Sequence, residues 1–155
     1  MENYIAETSV PREIGGVKLT EPIVLCVDDN EVILELLWET LTVNGFRVVC
    51  DSNSERARRT IHSMEIDAVV LDYDMPGCNG LELAATVRGN KPQVPILMFS
   101  GSLLPSEALK SVSSFVAKSQ GVFALIDALR RELDHLQPKS GPQLCAKATD
   151  HGQNS

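Results

Sequence analysis

Five short apolar runs recur along the chain, and a segment of helical periodicity follows each one. The runs are "IVLCV" (23–27), "FRVVCD" (46–51), "AVVLD" (68–72), "VPILMFS" (94–100) and "SFVAK" (114–118). A strand that is apolar at successive positions must be covered on both faces, which is the condition of a parallel sheet between two helical layers. The intervening segments supply those layers. Ile33, Leu37 and Leu41 recur at helical spacing, with Gly45 as a stop signal. Asn53 or Ser54 can cap a second helix carrying Ala57, Ile61 and Met64 on one face. A third helix is predicted from about Gly80 to near Gly89, and a short one over "PSEALKSV". The last, "GVFALIDALRRELDHL", carries a stripe of Val122, Leu125, Ile126, Leu129, Leu133 and Leu136. The pattern predicts an α/β fold, a doubly wound parallel sheet with helices on both faces.

The chain has 155 residues, enough for one domain without disulfide or metal staples. Residues 1–21 are read as an N-terminal extension or mobile arm, 22–136 as the domain and 137–155 as a disordered tail rich in Gly, Pro, Ser and Gln. The net charge of −7 argues against nucleic acid as a partner, because phosphate backbones require a basic face. No run approaches a membrane span and no signal peptide is read, so a cytoplasmic location away from membranes is expected. Cys26, Cys50, Cys78 and Cys145 form no CxxC pair and read as reduced, mostly buried thiols. His62, His135 and His151 lack partners at ligand spacing and read as surface residues.

The strand ends carry the chemistry. The first run ends in Asp28-Asp29, the third in Asp72 with Asp74 two residues on, the fourth in Ser100 and the fifth in Lys118. Asp51, at the end of the second, is the weakest candidate. Open α/β sheets bind ligands beyond the carboxyl ends of their strands, so these residues are expected to meet on one rim. Taken singly, each has an ordinary explanation; Asp28 and Glu31, for instance, stand at capping-box spacing. Jointly they do not. Two carboxylates about 5 Å apart repel by roughly 3 kcal/mol at an effective dielectric near 20. A hard cation such as Mg2+ offsets that cost. One carboxylate can then attack a phosphoryl group, with Ser100 and Lys118 holding its oxygens.

These motifs, "IVLCVDDN", "VVLDYDMPGCNGLEL", "VPILMFSGS" and "FVAKSQG", in this order, resemble the receiver domain of two-component response regulators. The resemblance spans 22–136. It implies a flavodoxin-like (βα)5 fold with strand order 2-1-3-4-5. It implies phosphorylation of Asp72 by a sensor histidine kinase or a histidine phosphotransfer protein. Mg2+, with Mn2+ as a substitute, would be held by Asp29 and Asp72 directly, by Asp28 mainly through water and by the backbone carbonyl of Asp74. Ser100 and Lys118 would bind the phosphoryl group, and Phe115 would be the switch aromatic. A downstream protein would read the face of the fourth helix, fifth strand and fifth helix, with the chain a monomer or a phosphorylation-dependent dimer.

The family usually places Pro after the lysine, often with a cis bond; here Ser119 follows, so a trans bond is expected. No output domain is read, so a regulator acting alone is expected. It would be a signalling phosphoacceptor rather than an enzyme, limited to its own phosphotransfer and slow autodephosphorylation. Two alternatives exist. "LDYDMP" also fits the DxD of haloacid-dehalogenase-like phosphatases, but in those the paired acids come last, and here Asp28-Asp29 precede Asp72. A pseudo-receiver, a pure interaction module, would need a key position missing, and none is.

Overall fold

The computed structural model describes residues 12–14 and 17–136. Two short strands, β1 (Arg12–Ile14) and β2 (Val17–Leu19), pair antiparallel. Both strands fall within the 1–21 segment read as an extension. The 137–155 tail, with Cys145 and His151, lies outside the described residues.

The five apolar runs become β3 (Ile23–Val27), β4 (Arg47–Asp51), β5 (Ala68–Leu71), β6 (Ile96–Ser100) and β7 (Ser114–Ala117). All pair in parallel, in the order β4-β3-β5-β6-β7. Counted among themselves, the five strands run 2-1-3-4-5, the flavodoxin-like order. The helices are α1 (Glu31–Val43), α2 (Ser54–Ser63), α3 (Gly80–Asn90), α4 (Ser106–Leu109) and α5 (Val122–Leu136). A single 3-10 turn, η1 (Lys118–Gln120), joins β7 to α5.

Strand alternation explains the unbroken apolar runs. In β3, Val24 and Cys26 face the core shared with α1 and α5, while Leu25 and Val27 face the core shared with α2 and α3. Both layers seal well: Leu34, Leu37 and Leu41 of α1 and Leu83 and Val87 of α3 are all buried. Fully burying each such side chain is worth about 1.5–3 kcal/mol. Cys26, Cys50 and Cys78 are free and buried. Cys26 and Cys50 stand in register on neighbouring strands, and the closeness of Cys50 with burial holds the Cys26 thiol well above its usual pKa. The α5 stripe is buried as far as Leu129, but Leu136 at its end is half exposed.

The helix starts correct one reading. Asn30, not Asp28, caps α1, its side chain accepting from the amides of Val32 and Ile33. Asn53 and Asn79 cap α2 and α3 in the same way. Gly45 closes α1 with φ +95°, a conformation costly for residues with a Cβ. The fourth crossover holds only a single helical turn, α4, leaving Leu103 and Leu109 exposed. No peptide bond among the described residues is cis, Lys118–Ser119 included. No helix among them is long and apolar enough to cross a membrane.

The cap at Asn53 is open to test. Its side chain satisfies the amides of Glu55 at 2.8 Å and Arg56 at 3.2 Å. Asn53→Ala should cost about 1 kcal/mol in a denaturant titration; an unchanged midpoint would show that water serves these amides equally well.

Candidate functional site

The parallel register brings the strand ends together at the carboxyl edge. β3 and β5 are adjacent, with Val27 opposite Leu71. Asp28 and Asp72 are therefore the first residues past the ends of two central neighbours. Backbone bonds fix both. The Asp72 amide donates to the Val27 carbonyl at 2.9 Å, and the Asp28 amide donates to the Asp51 carbonyl at 3.3 Å. Asp28 and Asp72 are 2% and 5% exposed, while Asp29 is exposed. One carboxylate oxygen from each of Asp28, Asp29 and Asp72 lies within 4.8 Å of the others.

Lys118 reaches this cluster from the far side. It is the first residue past β7, and its Nζ stands 2.8 Å from Asp28 Oδ2 and 3.5 Å from Asp72 Oδ1. The other oxygen of Asp28, Oδ1, accepts from the Asn30 amide at 2.9 Å. Asp28 is thus committed to two partners. Asp29 and the remaining face of Asp72 are left for a ligand.

Burial and crowding set the protonation. Burial, then the charge of Asp28, push Asp72 up to about 6, although Lys118 opposes both. Burial raises Asp28 too, against its hydrogen bonds to Lys118 and Asn30. For Lys118 burial works downward, but its hydrogen bond with Asp28 and the two negative charges outweigh that and raise it. The lysine therefore stays cationic at neutral pH. Three clustered carboxylates, two of them buried, with one cation between them, leave net negative charge on a set of hard oxygen donors. That donor chemistry fits a small divalent cation.

The other sequence candidates separate. Ser100 is fully buried at the end of β6, in register with Ala117, one residue before Lys118. Its Oγ accepts from the Ser102 amide at 3.2 Å. Phe115 is half-buried against the core of α2 and α3, opposite Met98. Asp74 is exposed and lies outside the three-carboxylate cluster. Asp51 also lies outside it: its buried carboxylate accepts from Thr60 Oγ1 at 2.8 Å and faces Arg56 Nε at 3.9 Å. Two contributors had no chemical signature in sequence. Asn30 drew no reading from the sequence, yet it caps α1 and its amide holds Asp28. Gly80 reads only as a helix start, yet it packs against the Asp72 carbonyl.

The chain is similar to a known family. Residues 24–130 match the model of the response regulator receiver domain. Response regulator MprA of a Mycobacterium species is 29% identical over 77% of this chain and 54% of its own length. Regulatory protein VirG of Agrobacterium fabrum is 31% identical over 69% of this chain and 44% of its own. The chain thus spans about half the length of these curated relatives. The response regulator TrrA of Thermotoga maritima, solved with Mg2+ and BeF, superposes with TM-score 0.68 at 29% identity, covering 72% of this chain and 98% of that one. TrrA has also been solved with the histidine kinase ThkA, where it matches with TM-score 0.67 at 30% identity over the same shares.

The raised carboxyl of Asp72 makes a prediction for the metal-free protein. A group whose pKa rises on folding favours the fold when protonated. Stability should therefore fall as pH rises from about 4 to about 6, the interval between its ordinary value and its value in the fold. Asp28 acts in the same direction. Asp72→Asn should relieve this, by about 1 kcal/mol once solvent screening is allowed for. Thermal melts at pH 7 in chelator should then rise by roughly 3–4 °C. A melting temperature equal to or below the wild type would show that the three acids do not crowd one another.

Proposed function

The chain belongs to the response regulator receiver family, and from that premise we propose that Asp72 is its phosphoacceptor. In this reading it takes a phosphoryl group from a phosphohistidine of a sensor kinase or a histidine phosphotransfer protein, in the cytoplasm. The observation that carries the reading is the bridge of Lys118 between Asp28 and Asp72, within a cluster of three carboxylates. TrrA, which resembles this chain, was solved in one structure with Mg2+ and BeF and in another with a histidine kinase, and that supports the assignment of cofactor and donor.

The residues divide the work. A value near 6 leaves Asp72 mostly ionised at pH 7, so it is competent as a nucleophile. Its oxygen forms the new P–O bond as the donor's P–N bond breaks, and the imidazole keeps the bonding pair. Asp29, Asp72 and the Asp74 carbonyl would hold Mg2+, with Asp28 reaching it through water, and the ion would supply charge neutralisation at the phosphoryl oxygens. Mn2+ can take its place. Lys118 donates to one phosphoryl oxygen, moving little from its place beside Asp72. The Ser100 hydroxyl, whose oxygen accepts from the Ser102 amide, donates its proton in a hydrogen bond to another.

Movement of Ser100 starts at the end of β6 and carries the crossover that follows it, with α4. Phe115 of β7, opposite Met98 of β6, repacks with that shift. The face formed by α4, β7 and α5 then changes its affinity for a downstream protein, a shift between two populations of one surface.

Acetyl phosphate with Mg2+ should place a single phosphoryl group on each wild-type chain, read by intact mass. Asp72→Asn should take up none, and Lys118→Ala should label roughly 10²-fold more slowly. Equal labelling of Asp72→Asn would move the acceptor elsewhere. Steady turnover of a phosphomonoester, in place of one stoichiometric adduct, would favour a phosphatase.

A further inference from the structure

Gly80 is the first residue of α3, where alanine would ordinarily be the better helix former. Its backbone lies outside the left-handed region, so no turn requires a glycine there. Space does. A Cβ built on Gly80 would stand 2.4 Å from the backbone oxygen of Asp72, 3.1 Å from the Asp72 carbonyl carbon and 3.0 Å from Met98 Sδ. The Met98 contact involves a flexible side chain that can give way. The Asp72 carbonyl cannot, because the amide of the same residue is tied to Val27 at 2.9 Å. The Gly80 amide adds a second tie, donating to the Tyr73 carbonyl at 2.9 Å. The helix therefore rests directly on the peptide that carries the acidic side chain, and holds it from behind.

We infer that Gly80 is a positioning residue for phosphoryl transfer: its missing side chain lets α3 seat against the Asp72 carbonyl and fixes the Asp72 carboxylate relative to Asp28 and Lys118. Those two partners hang on different segments, Asp28 just past β3 and Lys118 on η1. A displacement of the Asp72–Tyr73 segment thus changes the cluster without moving the rest of it. In positioned chemistry an error of about 1 Å can cost 10²-fold in rate. Pushing α3 outward is the other way to admit a Cβ. That would open the packing of its own buried face, Leu83, Ala84 and Val87. The inference rests on Asp72 being the acceptor.

The test compares three substitutions in the full chain. Gly80→Ala should lower the rate of labelling by acetyl phosphate at saturating Mg2+ at least tenfold and weaken Mg2+ binding. In metal-free protein its amide shifts should concentrate at Val27, Asp72 and Tyr73. Gly89→Ala, in the same helix with nothing within 4 Å of an added Cβ, should behave as wild type. The double variant Gly80→Ala/Met98→Ala should stay slow, because the backbone contact remains. Wild-type rates in Gly80→Ala, or restoration by the Met98 change, would overturn the inference. If Gly80→Ala is unfolded in buffer, all rates are compared in trimethylamine N-oxide, which favours the compact state. A chain still unfolded there would overturn it too, by making Gly80 a requirement of the fold rather than of the site. Failure of the wild type to label would instead defeat the acceptor reading itself.

Discussion

One ammonium group makes the carboxyl edge of this sheet tolerable. Lys118 stands between Asp28 and Asp72, which the parallel register of β3 and β5 forces to be neighbours. Without a cation there, two buried carboxylates would share a poorly solvated rim at a cost of several kcal/mol. With it, the edge still carries more negative charge than it can neutralise, and Asp72 remains raised toward 6. The site therefore persists as a deficit that a divalent cation or a bound anion-plus-cation pair relieves. The fold beneath it is what makes the deficit affordable, since both apolar layers are sealed by buried side chains from every major helix.

Much of this was legible in the sequence because it depends on local pattern. Runs apolar at every position can only be strands covered on both faces, and five of them in alternation with amphipathic segments leave few topologies. The acids at the strand ends were legible for the same reason: a charged residue directly after a buried strand must lie at an edge. The parallel rule then places all such edges together. What escaped depended on distance. Asp28 stands at capping-box spacing from Glu31, yet Asn30 is two positions nearer the helix and takes the cap, freeing Asp28 for Lys118. Asp51 looks like the other strand-end acids, but its strand is at the sheet's margin, where Thr60 and Arg56 claim it.

Glycine shows the limit most plainly. A sequence reader sees Asn79-Gly80 as a helix opening, and both residues suit one. Whether a glycine answers to its own dihedral angles or to a neighbour's atoms cannot be read from spacing, because the neighbour is eight residues back and reached through the turn of "YDMPGCN". Gly45 and Gly80 are alike in sequence, each following Asn; one is needed for its φ and the other for its emptiness.

Ser100 is only half engaged at its strand end. Its oxygen accepts from the Ser102 amide at 3.2 Å, inside a fully buried residue. Accepting uses a lone pair and leaves the hydroxyl proton to be donated. If Asp72 carries a phosphoryl group as proposed, Ser100 would gain a partner without surrendering one. The Ser102 amide would be carried along with the hydroxyl, so the loop after β6 would be coupled to the rim through a bond that is kept rather than broken.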